Sequence, residues 1–319
     1  MKRLTFLVCL SASVFSAAAA PLNRNSIGAD ARWVLHLDLD AFRQSKLGSL
    51  ILTDIQTQFG EKIQALQELI GSNALTDFSH FTIYGPDNQE QNAVLLAEGR
   101  FSQQKLLALL MLSPQYQKST YGNYVLHEWF AQHHGKYQIG TFARDNLIAI
   151  SQNPQALQQA LDVLDGKRPP LTQAPWLSGN GRAPAAPILL GAACGVRELT
   201  ANQPQAALLA NTQTLFLSVS ENSGSFQIHV LLQTDNPQTA LRLEQAVLGM
   251  KAFLALSQAP SASAAGSSNP SPLAALLDNC RLIREENAVL LQMEMPSESV
   301  YQVLQQWHQG RGGAAQPNP

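Results

Sequence analysis

A chain of 319 residues with 45% apolar content can build one large domain or two ordinary ones. Its formal net charge of −2 comes without any basic stripe, which excludes a nucleic-acid partner, and no polybasic run recommends a membrane surface. Charged residues make up only 14% of the chain. Asn and Gln fill the polar positions instead, which suits a solvated scaffold more than a tuned acid–base site.

The chain opens with an export signal over residues 1–20. Lys2 and Arg3 supply a positive start, Leu4 to Phe15 is apolar apart from Thr5, Ser11 and Ser13, and Ser16 to Ala20 are small residues that a signal peptidase accepts. Cleavage after Ala19, with Ala17 at the −3 site, avoids Pro21. The expected destination is the periplasm or the medium. Cys9 lies inside the apolar run behind Val8, which argues against lipidation. No later segment reaches the ~20 residues of a membrane span; the longest apolar run, Leu106 to Leu112, suits a buried helix face.

A first α+β domain is expected over 21–165. Trp33 to Leu39 reads as a strand. The helix Asp54 to Ile70 is amphipathic through Ile55, Phe59, Ile63, Leu66 and Ile70, and Gly71 closes it. Phe81 to Tyr84 and Ala93 to Ala97 form a hairpin, followed by Ser102 as N-cap and a helix from Gln103 to Leu112. Tyr124 to Trp129 alternates like a strand, and His133, His134 and Gly135 resemble a turn. A second hairpin, Tyr137 to Ala143 with Leu147 to Ser151, leads to Asn153, Pro154 and a helix to Leu164. Asn is a good N-cap and Pro is at home at the first helical position.

Residues 166–187 are dense in Pro, Gly and small residues and read as a linker or long arm. A second domain, 188–309, repeats the order: strand Ile188 to Ala193, helix Arg197 to Ala210, hairpin Thr214 to Ser220 with Phe226 to Thr234, and a helix Gln238 to Leu256 behind Asn236 and Pro237. The low-complexity segment 257–272 is expected to be a disordered insertion. The hairpin Arg281 to Arg284 with Ala288 to Met295 and the helix Glu298 to Trp307 follow, and 310–319 is expected to be a disordered tail. The fold class is therefore α+β. Antiparallel sheets are expected to carry helices on one face, as a tandem repeat of a strand–helix–(hairpin–helix)2 domain.

Trp33-Val-Leu-His-Leu-Asp-Leu-Asp-Ala-Phe, soon after the signal, resembles the opening of a group of uncharacterised exported bacterial proteins with a repeated α+β domain. Leu95-Leu-Ala-Glu-Gly-Arg-Phe and Asp162-Val-Leu-Asp-Gly-Lys are similar to that group's repeated units. The resemblance implies an envelope location and a repeated fold; it implies no activity and no catalytic residue.

The strongest chemical cluster is His36, Asp38 and Asp40. Strand alternation places them on one face, where two carboxylates and an imidazole could bind a divalent metal. The simpler expectation is a water-facing strand surface, with Asp40 as the N-cap of the next helix. His127 and Glu128, with His133 and His134, resemble a zinc-protease helix only superficially: the residue four after His127 is Ala131, so no second imidazole shares a helical face. No nucleophile elbow and no phosphate loop is present, and no cofactor is implied. Cys194 and Cys280 remain after the signal; they either pair or stay as buried thiols, and without a C-x-x-C motif neither a thiol-redox site nor a zinc knuckle is expected. The function expected is a non-catalytic binding or interaction scaffold of the envelope, its partner an envelope protein or ligand. The alternative is a metal-dependent hydrolase built on His36, Asp38 and Asp40 with His127 and Glu128.

Overall fold

The computed structural model describes residues 22–71, 73, 75–132, 135–181, 187–200, 209–257 and 279–312. The expected signal peptide, the 257–272 insertion beyond residue 257, His133 and His134, and residues 313–319 of the expected tail lie outside the described residues.

The described strands make one 12-stranded sheet. They are β1 (Trp33–Asp38), β2 (Phe78–Gly85), β3 (Val94–Gly99), β4 (Gln117–Tyr121), β5 (Tyr124–Ala131), β6 (Lys136–Arg144), β7 (Leu147–Ser151), β8 (Leu189–Cys194), β9 (Thr212–Asn222), β10 (Ser225–Thr234), β11 (Cys280–Arg284) and β12 (Ala288–Pro296). Their order is β11-β12-β10-β9-β8-β1-β2-β3-β7-β6-β5-β4, with every neighbouring pair antiparallel. Strands from both sides of the expected linker thus share one sheet, joined where Leu35 of β1 faces Gly191 of β8. β4 is an addition to the expected elements. It is a mostly exposed, polar edge strand with no apolar alternation to announce it.

The helices are α1 (Leu39–Gln44), α2 (Lys46–Ile70), α3 (Gln103–Leu110), α4 (Pro154–Leu164), α5 (Val196–Thr200), α6 (Pro237–Ser257) and α7 (Ser297–Gly312). α7 therefore continues through 310–312, three residues into the expected tail. Local chemistry sets the boundaries. Ser45, Ser102 and Asn153 accept the capping hydrogen bonds of α2, α3 and α4, and Gly71 ends α2 in the left-handed conformation at φ 68°. The α1–α2 corner requires Gly48, because a Cβ there would lie 1.8 Å from the Phe42 carbonyl oxygen.

The helices do not all lie on one face, as the sequence suggested. α4 packs on one side, where its Leu157, Ala160 and Leu161 join Val34, Tyr84, Val94, Leu96, Leu126, Ile139 and Ala149 in the main core. The segment 22–31 and residues 170–181 complete this cover: Ile27, Leu171, Ala174 and Leu177 are buried, so the first part of the expected linker is core. α3, α6 and α7 pack on the opposite side. Both faces of the sheet are apolar over much of their width, so both must be covered.

Candidate ligand-binding site

The two faces are covered to very different degrees. On the α4 face the central apolar side chains are buried: Ala192, Val34, Tyr84, Val94, Leu96 and Ala149 are each at most 5% exposed. On the other face, register aligns a row across all twelve strands: Leu282, Leu291, Val230, Leu217, Gly191, Leu35, Ile83, Leu95, Ile150, Gly140, His127 and Lys118. A second row on this face runs Met293, Ile228, Val219, Leu189, Leu37, Phe81, Ala97, Ile148 and Phe142. Most of these side chains are only half-buried, and Leu35 at the centre is 39% exposed.

α2 meets this face at its start and α3 at its end. Near its start, Leu47 and Ile51 cluster with Met293 and Met295 and with Val300 and Tyr301 of α7. Near its end, the Lys105 ammonium of α3 donates to the Glu68 carbonyl at 3.5 Å. Its 25 residues give a rod of about 37 Å, and the seven strand spacings from β12 to β7 measure about 34 Å at ~4.8 Å each. The principal packing partners of α2 are α1, α3 and α7 rather than the strands. Its start is fastened by Glu221 at the end of β9. That carboxylate accepts from the Lys46 and Leu47 amides at 2.6 and 3.0 Å and from the Ser297 hydroxyl at 2.7 Å. Lys46 pairs with Glu298, and Asp54 accepts from Tyr301. α2 is thus an amphipathic helix fastened at both ends beside a half-open apolar sheet face.

Beneath α3 this surface deepens into a slot of about 210 Å³. Leu106, Leu109 and Leu110 form one wall; Ile148, Ile150 and Phe142, with Trp129 at one side, form the other. No residue of α3 is buried. The slot exists partly because residue 140 is glycine: a Cβ there would lie 3.1 Å from Ile150 Cγ1 and 3.3 Å from Trp129 Cη2. At the β5 end stands His127, whose Nδ1 shares a 2.8 Å hydrogen bond with the Tyr116 hydroxyl. Burial, and then the neighbouring Lys118 charge, hold its imidazole below the usual range, favouring the neutral ring.

The five residues singled out as metal candidates do not converge. His36 and Asp38 project onto the α4 face, and His127 onto the α2 face. Glu128 alternates to the side opposite His127. Among the described residues, no group of three His, Cys, Asp or Glu is placed to hold a metal. His36 and Asp38 are not water-facing: they are 4% and 0% exposed. The segment 22–31 closes over them, and a polar cavity of about 240 Å³ there is lined by Asn23, Ser26, His36, His80, Thr82 and Glu98. His36 Nδ1 bonds the Thr82 hydroxyl at 2.8 Å, and His80 Nδ1 lies 3.7 Å from Asp38 Oδ1. The helix cap is Asp38, accepting from the Ala41 amide at 2.8 Å, because β1 ends one residue before the helix begins. Asp40 lies in the first turn and pairs with Arg43. Cys194 and Cys280 are free thiols on β8 and β11, with β9, β10 and β12 between them.

The apolar slot has no local signature in the sequence because it is assembled by register. Alternation marked each strand as amphipathic or buried, but which half-covered rows align across twelve strands is a tertiary fact. The signal that was present is Gly140 between Ile139 and Thr141 in a strand, since an interior glycine marks a close approach.

No family model matches the chain, and no curated protein matches it. Among solved structures, crystal form III of TP0453 is similar over 90% of this chain and 98% of its own, at 9% identity and a TM-score of 0.48. Crystal form I of TP0453 covers 90% and 97% at 10% identity and a TM-score of 0.45. Crystal form IV covers 90% and 97% at 9% identity and a TM-score of 0.47.

Proposed function

We propose that this chain is exported by its N-terminal signal and works in the envelope as a non-catalytic binding protein, holding an apolar ligand against the half-open sheet face beside α2. One observation carries the reading: the contrast between two faces of the same sheet. The α4 face is buried as a core is, whereas matching apolar side chains on the α2 face are left half-open, and α2 packs mainly on other helices. Large half-open apolar surfaces mark binding sites on soluble proteins. Among the described residues no helix is long and apolar enough to cross a membrane.

The repeated architecture belongs to the same proposal. Each half orders its strands alike, β1-β2-β3-β7-β6 matching β8-β9-β10-β12-β11, with β4 and β5 extending the first half. Two copies, 21–165 and 188–309, would then meet at their first strands, and both would contribute to the half-open face.

The test is a titration of mature protein with the apolar fluorophore N-phenyl-1-naphthylamine, together with native mass spectrometry of protein drawn gently from the envelope. Saturable binding, displaced by hydrocarbon-chain compounds, is expected. A protein that takes up neither fluorophore nor endogenous ligand would rule the reading out.

A further inference from the structure

We infer that the slot between α3 and strands β5–β7 receives the hydrocarbon chain of a single-chain anionic amphiphile, whose head group is held at Lys118. The inference rests on reading the α2 face as a binding surface, and it names the ligand class and the subsite.

Size sets the first constraint. An apolar cavity of roughly 150 Å³ takes up one benzene molecule, so a slot of about 210 Å³ has room for one alkyl chain and not for two side by side. Polarity sets the second. The slot is walled by Leu106, Leu109, Leu110, Phe142, Ile148 and Ile150, the Thr141 side chain alternates to the other face of β6, and His127 Nδ1 is bonded to Tyr116. A ligand group entering there finds hydrocarbon, and a buried polar group without a partner is costly.

Charge sets the third constraint, and it gives the ligand a direction. The apolar row along this face ends in His127 and then Lys118, its direct cross-strand partner on β4. Lys118 is exposed, and among the described residues its ammonium forms no ion pair. The nearest acidic residue in the sequence of β5, Glu128, points to the other face. Burial of His127 beside Lys118 disfavours a second positive charge there. A chain lying in the slot toward Ile148 and Ile150 therefore brings its polar end toward an unopposed cation.

The experiment is calorimetric titration of the full mature protein with decanoate, decanol and decyltrimethylammonium, with Trp129 fluorescence, taken as the difference between wild type and Trp129→Phe because the chain has four Trp, followed during addition of a brominated fatty acid. Decanoate is expected to bind most tightly and decyltrimethylammonium least, with Trp129 quenched. Lys118→Gln should weaken decanoate roughly fivefold and leave decanol unchanged, and Lys118→Arg should restore it. Leu109→Phe, on a helix with no buried residue, and Gly140→Leu should each fill the slot and abolish quenching, with folding checked by circular dichroism. Decanoate binding that ignores both slot-filling variants would overturn the subsite while leaving the wider binding face intact. Equal affinity for all three probes, or indifference to Lys118→Gln, would overturn the head-group assignment. Failure of decanoate, decanol and N-phenyl-1-naphthylamine alike would defeat the inference and the proposed function together.

Discussion

Asp38 and Asp40 stand two residues apart and experience different surroundings. Asp38 is fully buried, caps α1 and faces His80, whereas Asp40 is partly exposed and pairs only with Arg43. Asp38→Ala should therefore cost about 1–3 kcal/mol through the lost cap and the stranded partners, and Asp40→Ala less than ~0.5 kcal/mol; urea unfolding of the two variants checks the ranking. His127 gives a pH signature. Its pKa is lowered from 6.5, first by burial and then by Lys118, so the unfolded chain takes up a proton that the folded chain resists. Its contribution is complete above the unfolded pKa and is lost as pH falls through the folded one. Wild type should lose more stability than His127→Gln when the pH is lowered from about 7.5 to about 5. An identical loss in both would mean that the ring is not held neutral by the fold.

At the scale of elements, α2 and α4 look alike in sequence and differ in what they touch. Leu161 of α4 is fully buried, and Phe59 of α2 is 47% exposed. Leu161→Ala should cost about 2–5 kcal/mol, while Phe59→Ala should cost less than ~1 kcal/mol, measured by thermal or urea unfolding. Comparable losses would mean that α2 is part of the core. This difference explains what the sequence could tell. Helix ends were legible because Ser102, Asn153 and Gly71 act within one turn of themselves, and the hairpins were legible because alternation and turn residues are local. The polar face of His36 and Asp38 was misjudged because residues 22–31, with little periodicity, fold over it. β4 was missed because an exposed edge strand needs no apolar pattern. The side taken by α4 and the slot at Gly140 depend on register between distant strands, and no local pattern encodes that.

For the whole molecule, the β1–β8 pairing is the seam that makes one sheet of two halves. Five residue pairs, from Trp33 with Ala193 to Leu37 with Leu189, hold it. Expressed separately, the segments on either side of residues 166–187 would each expose a central, apolar edge, the arrangement most prone to aggregation. Each alone should be insoluble or self-associated, and co-expression should recover a soluble one-to-one complex on size-exclusion chromatography. Two independently monomeric, stable halves would contradict a shared sheet.

The sheet is open, so it has two ends as well as two faces. One ends in β4 with an exposed Lys118, the other in β11 with an exposed Arg281 and with Arg284 paired to Glu244. An open sheet with compatible edges can propagate from molecule to molecule by strand addition. Here both edge strands are short and both carry cations, so an approaching copy meets like charge at the contact it would need to extend the ladder. The same lysine that would greet an anionic head group also helps keep the chain from growing into a fibre.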